Sequence, residues 1–164
     1  MSIEYIKRLG LFIILLLVQG LICNHIRLLN SATPLLYILF VLQFRRNHPR
    51  WAILLWSFAL GLCVDIFANT PGVASASMTL VGILQPYLLE LFVSKDAADD
   101  LRPSVRTLGG SYFWYAFIIV VLYCLLFFTI ETFNFFNWMQ WLQSVVGSSL
   151  ITYLLIVVLE NIRK

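Results

Sequence analysis

The sequence predicts an all-α, polytopic membrane protein in which six helices form a bundle and both termini are cytoplasmic. Of the 164 residues, 61% are hydrophobic and only 12% are charged, whereas an ordinary soluble domain is about 45–50% apolar and about 25% charged. The apolar residues form several runs near the length of about 20 residues that a helix needs to cross a bilayer. Basic residues collect in alternate connections between these runs, as the positive-inside rule expects.

The apolar runs predict six spans in a single transmembrane domain that covers residues 1–164. The second run opens at Pro34, and its apolar part is short for a span. We therefore expect this run to be tilted, to thin the membrane locally, or to lie inside the bundle. The predicted spans are 9–28, 30–44, 51–68, 71–93, 111–130 and 141–159.

The charges support this span count and set the orientation. With six spans, every basic residue except Arg27 falls on one side, which is then the cytoplasmic side. The formal charge of +3 is too small to indicate a nucleic-acid partner. A basic cluster of Arg45, Arg46 and Arg50 lies between the second and third predicted spans. The cluster either reflects topology alone or contacts anionic lipid headgroups or a cytoplasmic filament.

Asp65 is the carboxylate that lies well inside an apolar run. A charged group is costly in the membrane, so Asp65 should face the bundle, water or a partner rather than lipid. It is either a functional site or a structural clamp that accepts hydrogen bonds from the turn Asn69-Thr70 and from the free N–H groups that begin the next helix. Asn69 or Thr70 as N-cap, with Pro71 at the first helical position, predicts where that helix starts.

Small residues follow one face of the predicted fourth helix. They are Gly72, Ser75, Ala76, Thr79 and Gly82. The last predicted helix repeats the pattern with Ser144, Gly147, Ser148 and Thr152. Small residues at helical spacing let another helix approach closely, which is a usual basis for helix association in lipid. Such a face packs either within its own chain or against a partner's transmembrane helix.

Enzymatic function is not predicted. The sequence has no Ser/His/Asp arrangement, no metal-ligand spacing, no Gly-rich phosphate loop and no pair of carboxylates placed for acid–base chemistry. We therefore expect no catalytic residue, no metal and no cofactor. A transporter normally places several polar residues at mid-membrane in two matching halves, and we find no inverted repeat of that kind.

The run Gly61 to Phe67, with sequence GLCVDIF, is followed by Pro71-Gly72-Val73 and by a small-residue-rich stretch at 74–80. This pattern resembles the signature of the bacterial rod-shape-determining protein MreD family: a Gly four residues before an Asp, a short outer turn, a Gly, and an Ala/Ser-rich helix. The segment 30–44, with Thr33-Pro34-Leu35-Leu36, resembles the family's second helix. Size, span count and cytoplasmic termini agree along the whole chain.

This resemblance implies a non-catalytic subunit of the bacterial cell-elongation machinery in the inner membrane. The implied partners are the single-span protein MreC, the peptidoglycan glycosyltransferase and transpeptidase of elongation, and the filament protein MreB, either directly or through other subunits. The resemblance also implies a fold similar to the six-helix substrate-binding subunits of energy-coupling-factor vitamin transporters, so binding of a small molecule in such a transporter is the alternative function. Our hypothesis is that Asp65 aligns the small face of the fourth helix, which then seats the helix of an MreC-like partner.

Overall fold

The computed structural model describes residues 2–23, 25, 33–133 and 135–163, and within these ranges the chain is helical with no strand. The helices are α1 (Ser2–Val18), α2 (Ile38–Leu42), α3 (Arg50–Ala68), α4 (Val73–Phe92), α5 (Val105–Leu108), α6 (Ser111–Thr132) and α7 (Trp138–Arg163). A π-helical turn, Gln19–Cys23, extends α1, and a 3₁₀ turn, Phe135–Asn137, precedes α7.

Five helices of the described chain are long and apolar enough to cross a bilayer: α1 with its π-helical extension, α3, α4, α6 and α7. Their outward faces carry large apolar side chains, among them Ile66 and Leu91, which are both 77% exposed. Soluble monomers rarely expose apolar surface on this scale, because water penalises it. The protein is therefore a multi-pass membrane protein.

Four of the six predicted spans correspond closely to long helices. Helices α3 and α6 follow the predicted spans 51–68 and 111–130, and α7 extends beyond the predicted 141–159 at both ends. Helix α4 corresponds to the predicted 71–93 but begins at Val73. The first predicted span, 9–28, begins earlier than expected because α1 starts at Ser2. Residues 24 and 26–28 of that span lie outside the described residues.

The prediction of a helical second span at 30–44 is wrong for its described part. Only α2 is helical there, while residues 33–35 are non-helical and 36–37 form a turn. Every residue from Pro34 to Phe44 is buried. The sequence left three arrangements open for this segment: a tilted span, a locally thinned membrane, or a position inside the bundle. Its burial shows that it lies inside the bundle. The physical reason is that side chains of neighbouring helices bond its backbone, so the segment does not need helical hydrogen bonds of its own.

The two ends of the described chain lie at the same end of the bundle. Glu4 of α1 and Arg163 of α7 line one cavity together with Arg45 and Arg102 from two loops. We call this end of the bundle, which also carries Lys7 and Arg8, the basic end. Helix α1 begins at the basic end and runs into the bundle, and the segment that ends at Phe44 returns to the basic end. The loops that carry Arg45 and Arg102, which the positive-inside pattern predicts on one side, therefore do lie together.

Candidate functional site

The candidate site is centred on Asp65, in the last turn of α3, whose carboxylate holds the start of α4. Asp65 is only 5% exposed. Its Oδ1 accepts hydrogen bonds from the backbone N–H of Ala74 at 2.8 Å and from the hydroxyl of Thr70 at 3.1 Å. Its Oδ2 accepts the backbone N–H of Ser75 at 3.0 Å. These three hydrogen bonds confirm the predicted structural clamp between Asp65 and the start of the next helix.

The turn between α3 and α4 explains why the carboxylate comes from outside α4. Asn69 ends α3 in the left-handed conformation, with φ 56°. Gly72 occupies the cap position of α4 with φ 84°, and glycine has no side chain with which to bond the helix's free N–H groups. Asp65 bonds the N–H groups of the second and third helical residues, which an N-cap side chain normally satisfies, and the positive end of the α4 dipole favours its charge.

Two details of the predicted helix start are corrected by this geometry. Neither Asn69 nor Thr70 is the N-cap, because Asn69 belongs to the end of α3 and Thr70 donates its hydroxyl to Asp65. Pro71 lies in the turn before Gly72 rather than at the first helical position. The left-handed conformation at Gly72 delays the helix until Val73, a delay that the residue types at 69–71 do not reveal.

Gly61 allows α3 and α4 to touch. A Cβ atom at Gly61 would lie 2.4 Å from the Cα of Ser75 and 2.8 Å from the carbonyl oxygen of Ala74, which is closer than real Cβ contacts allow. Gly61 and Asp65 are one helical turn apart on the same face of α3. Together they bring the first turn of α4 against α3: Gly61 by close packing and Asp65 by hydrogen bonding.

The small residues predicted to bind a partner fall into two groups. Ser75 and Gly82 are buried within the chain, where α3 covers them: Ser75 packs on Gly61, and a Cβ at Gly82 would lie 3.0 Å from the hydroxyl oxygen of Ser57. These two residues are not available to a second helix, so their assignment to a partner-binding face is corrected. Gly72 is exposed, and Ala76 and Thr79 are half-buried. For these three residues, partner binding stays a prediction.

Side chains from α7 and from the π-helical turn hold the non-helical segment inside the bundle. The hydroxyl oxygens of Ser148 and Thr152 accept the backbone N–H groups of Thr33 at 3.1 Å and Leu35 at 3.0 Å. The Gln19 side chain donates to the carbonyl of Pro34 and accepts the N–H of Leu36, both at 3.1 Å. Non-helical backbone is tolerated at membrane depth only when protein or water satisfies it, and here the protein does so.

These residues were only partly identifiable from the sequence. Ser148 and Thr152 belong to the predicted small face of the last helix, and Gln19 is an isolated polar residue in the first apolar run. That signal indicates a polar contact between helices. The partner, a backbone segment more than a hundred positions from α7 along the chain, has no signature in the sequence, because a backbone group looks the same at every residue.

Further polar groups inside the bundle also bond within the chain. Gln85 donates to the carbonyl of Phe44 at 3.3 Å and to the hydroxyl of Tyr115 at 2.9 Å. The hydroxyls of Tyr37 and Tyr123 bond to each other. In the described part of the chain, three buried polar atoms have no partner: the hydroxyl oxygen of Ser57, Oε1 of Gln85 and Nε1 of Trp141. They lie on different helices.

The predicted basic cluster is divided among different contacts. Arg45 forms ion pairs with Glu4 and, at 2.7 Å, with Asp100, and the hydrogen bond to Asp100 raises the pKa of Arg45 above its ordinary value. Arg46 donates to the carbonyl of Ala97 at 3.3 Å. Arg50 donates to the hydroxyl of Tyr87 at 2.9 Å, with its guanidinium over the tyrosine ring. The three arginines therefore do not form one binding surface.

No group of three or more His, Cys, Asp or Glu side chains that could hold a metal ion occurs among the residues that the structure describes. Comparisons with protein-family models, with curated proteins and with solved structures found no match to this chain. The resemblance to the MreD family accordingly depends on the residue pattern around Asp65 and on the size and span pattern of the chain.

Proposed function

We propose that this protein is a non-catalytic scaffold subunit of the bacterial cell-elongation machinery and that α4 seats the transmembrane helix of a single-span, MreC-like partner. The observation that carries the proposal is the engagement of Asp65. Both carboxylate oxygens accept hydrogen bonds from the chain's own hairpin. Two of these three hydrogen bonds come from backbone N–H groups. A carboxylate that bonds the first turn of the next helix in this way fixes the position of that helix.

The proposed contact surface, which we call the exposed strip, consists of the exposed Gly72 and Ile83 and the half-buried Ala76 and Thr79, along α4 and its cap. These residues follow one another at helical spacing on one face. Thr79 donates its hydroxyl to the carbonyl of Ser75 at 2.7 Å, so the hydroxyl does not need a partner from another chain. The side chains near Ala76 are therefore small, and the one hydroxyl among them is already hydrogen-bonded within α4. A second helix gains van der Waals contact by approaching such a surface, and this contact replaces the hydrophobic effect that is absent in lipid.

The wider setting comes from the family resemblance. On this proposal the protein lies in the bacterial inner membrane with its basic end in the cytoplasm, as the positive-inside rule predicts. The peptidoglycan glycosyltransferase and transpeptidase of elongation then adjoin the same complex, and an MreB-like filament acts through other subunits. Anionic lipid surrounds the basic end.

Affinity co-purification of the tagged full chain in mild detergent tests the proposal. Ala76→Leu and Thr79→Leu place bulk on the exposed strip. Gly72→Leu is a poor test because the φ of 84° at Gly72 strains any other side chain. Gly10→Leu in α1 is the matched control, since no atom lies within 4 Å of where its Cβ would stand.

We expect the two strip variants to reduce the recovered MreC-like partner by at least about fivefold, because one leucine inserted at a close helix contact costs on the order of 1–3 kcal/mol. Gly10→Leu should recover the partner as the wild type does. Co-purification of a vitamin-like molecule or an ATPase module in place of wall-synthesis proteins would contradict the scaffold proposal and favour the transporter alternative.

A further inference from the structure

A cavity of about 350 Å³ opens at the basic end, and basic side chains dominate its wall. Five of its lining residues are cationic and one is acidic: Lys7, Arg8, Arg45, Arg102, Arg163 and Glu4. They come from α1, from two loops and from the end of α7. Four positive charges on this wall are therefore not matched by a lining carboxylate.

Two of the arginines are held in place by their own contacts. Arg45 is neutralised by Glu4 and Asp100, which form ion pairs with it. Arg8 donates to Nε2 of His48 at 2.7 Å, and this neutral ring nitrogen does not offset the charge of Arg8. Burial first, then Arg8 and Arg45, lowers the pKa of His48 to about 4, so the imidazole is neutral at pH 7.

The other three cations have little or no compensation. Arg102 donates to the neutral amide of Gln43 at 2.7 Å. Lys7 and Arg163 have no hydrogen bond or ion pair within the described residues. Burial lowers the pKa of Arg102, the nearby charges of Arg163, Arg45 and Arg8 lower it further, and Glu160 acts in the opposite direction. Like charges that converge on one partly buried space are unfavourable unless an anion enters it.

We propose that this cavity binds a phosphate-bearing anion, either the headgroup of an anionic phospholipid or a free phosphate. Arginine presents a planar set of N–H donors that matches phosphate oxygens, and four of the five cations are arginines. Three of these four, Arg8, Arg102 and Arg163, come from separate segments of the chain and form no ion pair within the described residues. Basic pockets between transmembrane helices at the cytoplasmic surface suit phospholipid headgroups. This site is independent of the exposed strip on α4 and of the scaffold proposal.

The remaining wall of the cavity fits the lipid source. Leu11, Phe40 and Phe44 line its apolar part. A phospholipid places a phosphate next to a glycerol backbone and the first carbons of its acyl chains, so it presents charged and apolar groups side by side. Free phosphate would use the basic side chains alone.

Native mass spectrometry of the purified, lipid-stripped full chain tests this proposal. The probes are phosphatidylglycerol, zwitterionic phosphatidylcholine and inorganic phosphate. The variants Lys7→Gln and Arg163→Gln each remove one cavity charge that has no described partner. Lys95→Gln is the matched control, because Lys95 is an exposed basic residue of the loop at the same end and does not line the cavity.

We expect phosphatidylglycerol to bind at least about tenfold more tightly than phosphatidylcholine. Each cavity variant should weaken binding about fivefold, which corresponds to the loss of one basic residue near an anionic headgroup. Lys95→Gln should stay within about twofold of the wild type. If inorganic phosphate displaces the lipid from the wild type but does not displace it from the cavity variants, free phosphate is a second ligand of the cavity.

Equal binding of the two lipids, with no binding of inorganic phosphate, would overturn the proposal. So would a loss of phosphatidylglycerol affinity in Lys95→Gln as large as that in Lys7→Gln and Arg163→Gln, because binding would then follow overall charge rather than the cavity. The unfolding midpoint of the lipid-free variants should be no lower than that of the wild type, because each variant removes one repelling charge, and this separates a binding defect from a folding defect.

Discussion

Asp65 is an ionisable side chain buried in a membrane-spanning helix, and its contacts explain how the membrane tolerates it. Placing a carboxylate in a transmembrane helix costs roughly 2.5–3.5 kcal/mol at the bilayer centre and less near an interface. Three hydrogen bonds and the positive end of α4 offset this cost. The carboxylate therefore stabilises the hairpin between α3 and α4.

Replacing Asp65 should therefore destabilise the protein. Asp65→Ala leaves the N–H groups of Ala74 and Ser75 without their acceptor, so we expect the free energy of unfolding to fall by about 1–3 kcal/mol. Unfolding of the purified protein in mixed micelles, titrated with a denaturing detergent, measures this change. Asp96→Ala, in an exposed loop, is the control and should have little effect. A stability equal to that of the control would contradict the clamp.

His48 gives the basic end a dependence on pH. Its pKa is lowered from the ordinary 6.5 to about 4, first by burial and then by Arg8 and Arg45, whereas Glu4 acts in the opposite direction. Above about pH 6.5 the imidazole is neutral in both the folded and the unfolded chain. As the pH falls below that value the unfolded chain takes up a proton first, so the folded state loses stability.

We expect the thermal unfolding midpoint of the wild type to fall between about pH 6.5 and pH 5, and His48→Gln to flatten this dependence. Measurement of the midpoint across this range in the same detergent checks the prediction. An equal slope in both proteins would show that other groups set the acid sensitivity.

The residue-scale contacts differ in how far the sequence predicts them. The clamp is predictable because Asp65, Thr70 and the start of α4 lie within ten positions of one another, so helix and turn geometry alone bring them together. The basic cavity is not predictable in the same way. Lys7, Arg102 and Arg163 lie far apart in sequence and meet only because the bundle packs.

At the scale of elements, α3 and α4 form the hairpin on which the proposed function depends. The sequence predicts both helices, but it does not predict the left-handed conformation of Gly72, which shifts the start of α4 to Val73. The sequence also does not show why Gly61 must be small: the backbone of Ser75 occupies the space that a side chain would need.

Gly61→Ala should separate the two helices. The added methyl group would stand 2.4 Å from the Cα of Ser75, so the backbones must move apart, and we expect a loss of about 1–3 kcal/mol in unfolding free energy. Gly10→Ala is the matched control in α1, where no neighbour lies within 4 Å, and it should leave stability unchanged or raise it by up to about 1 kcal/mol. Equal stabilities of the two variants would argue against a tight crossing at Gly61.

The segment 33–44 shows where a hydropathy argument fails. An apolar run predicts burial correctly, because Pro34 to Phe44 are all buried and Thr33 is half-buried. It does not distinguish a helix, which satisfies its own backbone, from an irregular chain that other side chains satisfy. Ser148, Thr152 and Gln19 perform that second role, and no local sequence signal links them to Thr33–Leu36.

Thr152→Val tests this arrangement with little change in shape. The valine removes the hydroxyl that accepts the N–H of Leu35, and a buried, unsatisfied N–H should cost about 1–3 kcal/mol. Thr129→Val is the control, because the hydroxyl of Thr129 donates only to the carbonyl of Leu125 in its own helix. Detergent unfolding of both variants measures the difference. If Thr129→Val proved as damaging as Thr152→Val, the support of the segment by α7 would be wrong.

At the scale of the whole molecule, five long helices and one buried irregular segment form a bundle with both described ends together. The alternation of basic loops predicts this arrangement, even though it does not reveal that one passage of the chain is largely non-helical. Most of the buried polar side chains bond within the chain itself, and the cavity lies at the basic end. These features favour a fixed bundle that presents surfaces to other molecules.

Site-specific photocrosslinking in the native membrane tests the scaffold function most directly. A photoreactive residue is placed at Ala76 or Thr79 on the exposed strip, or at Gly10 on α1 as the control. Our account predicts a covalent adduct with a single-span, MreC-like protein from both strip positions and none from Gly10. Adducts of equal yield from Gly10, or no protein adduct from either strip position, would contradict the proposed seat on α4.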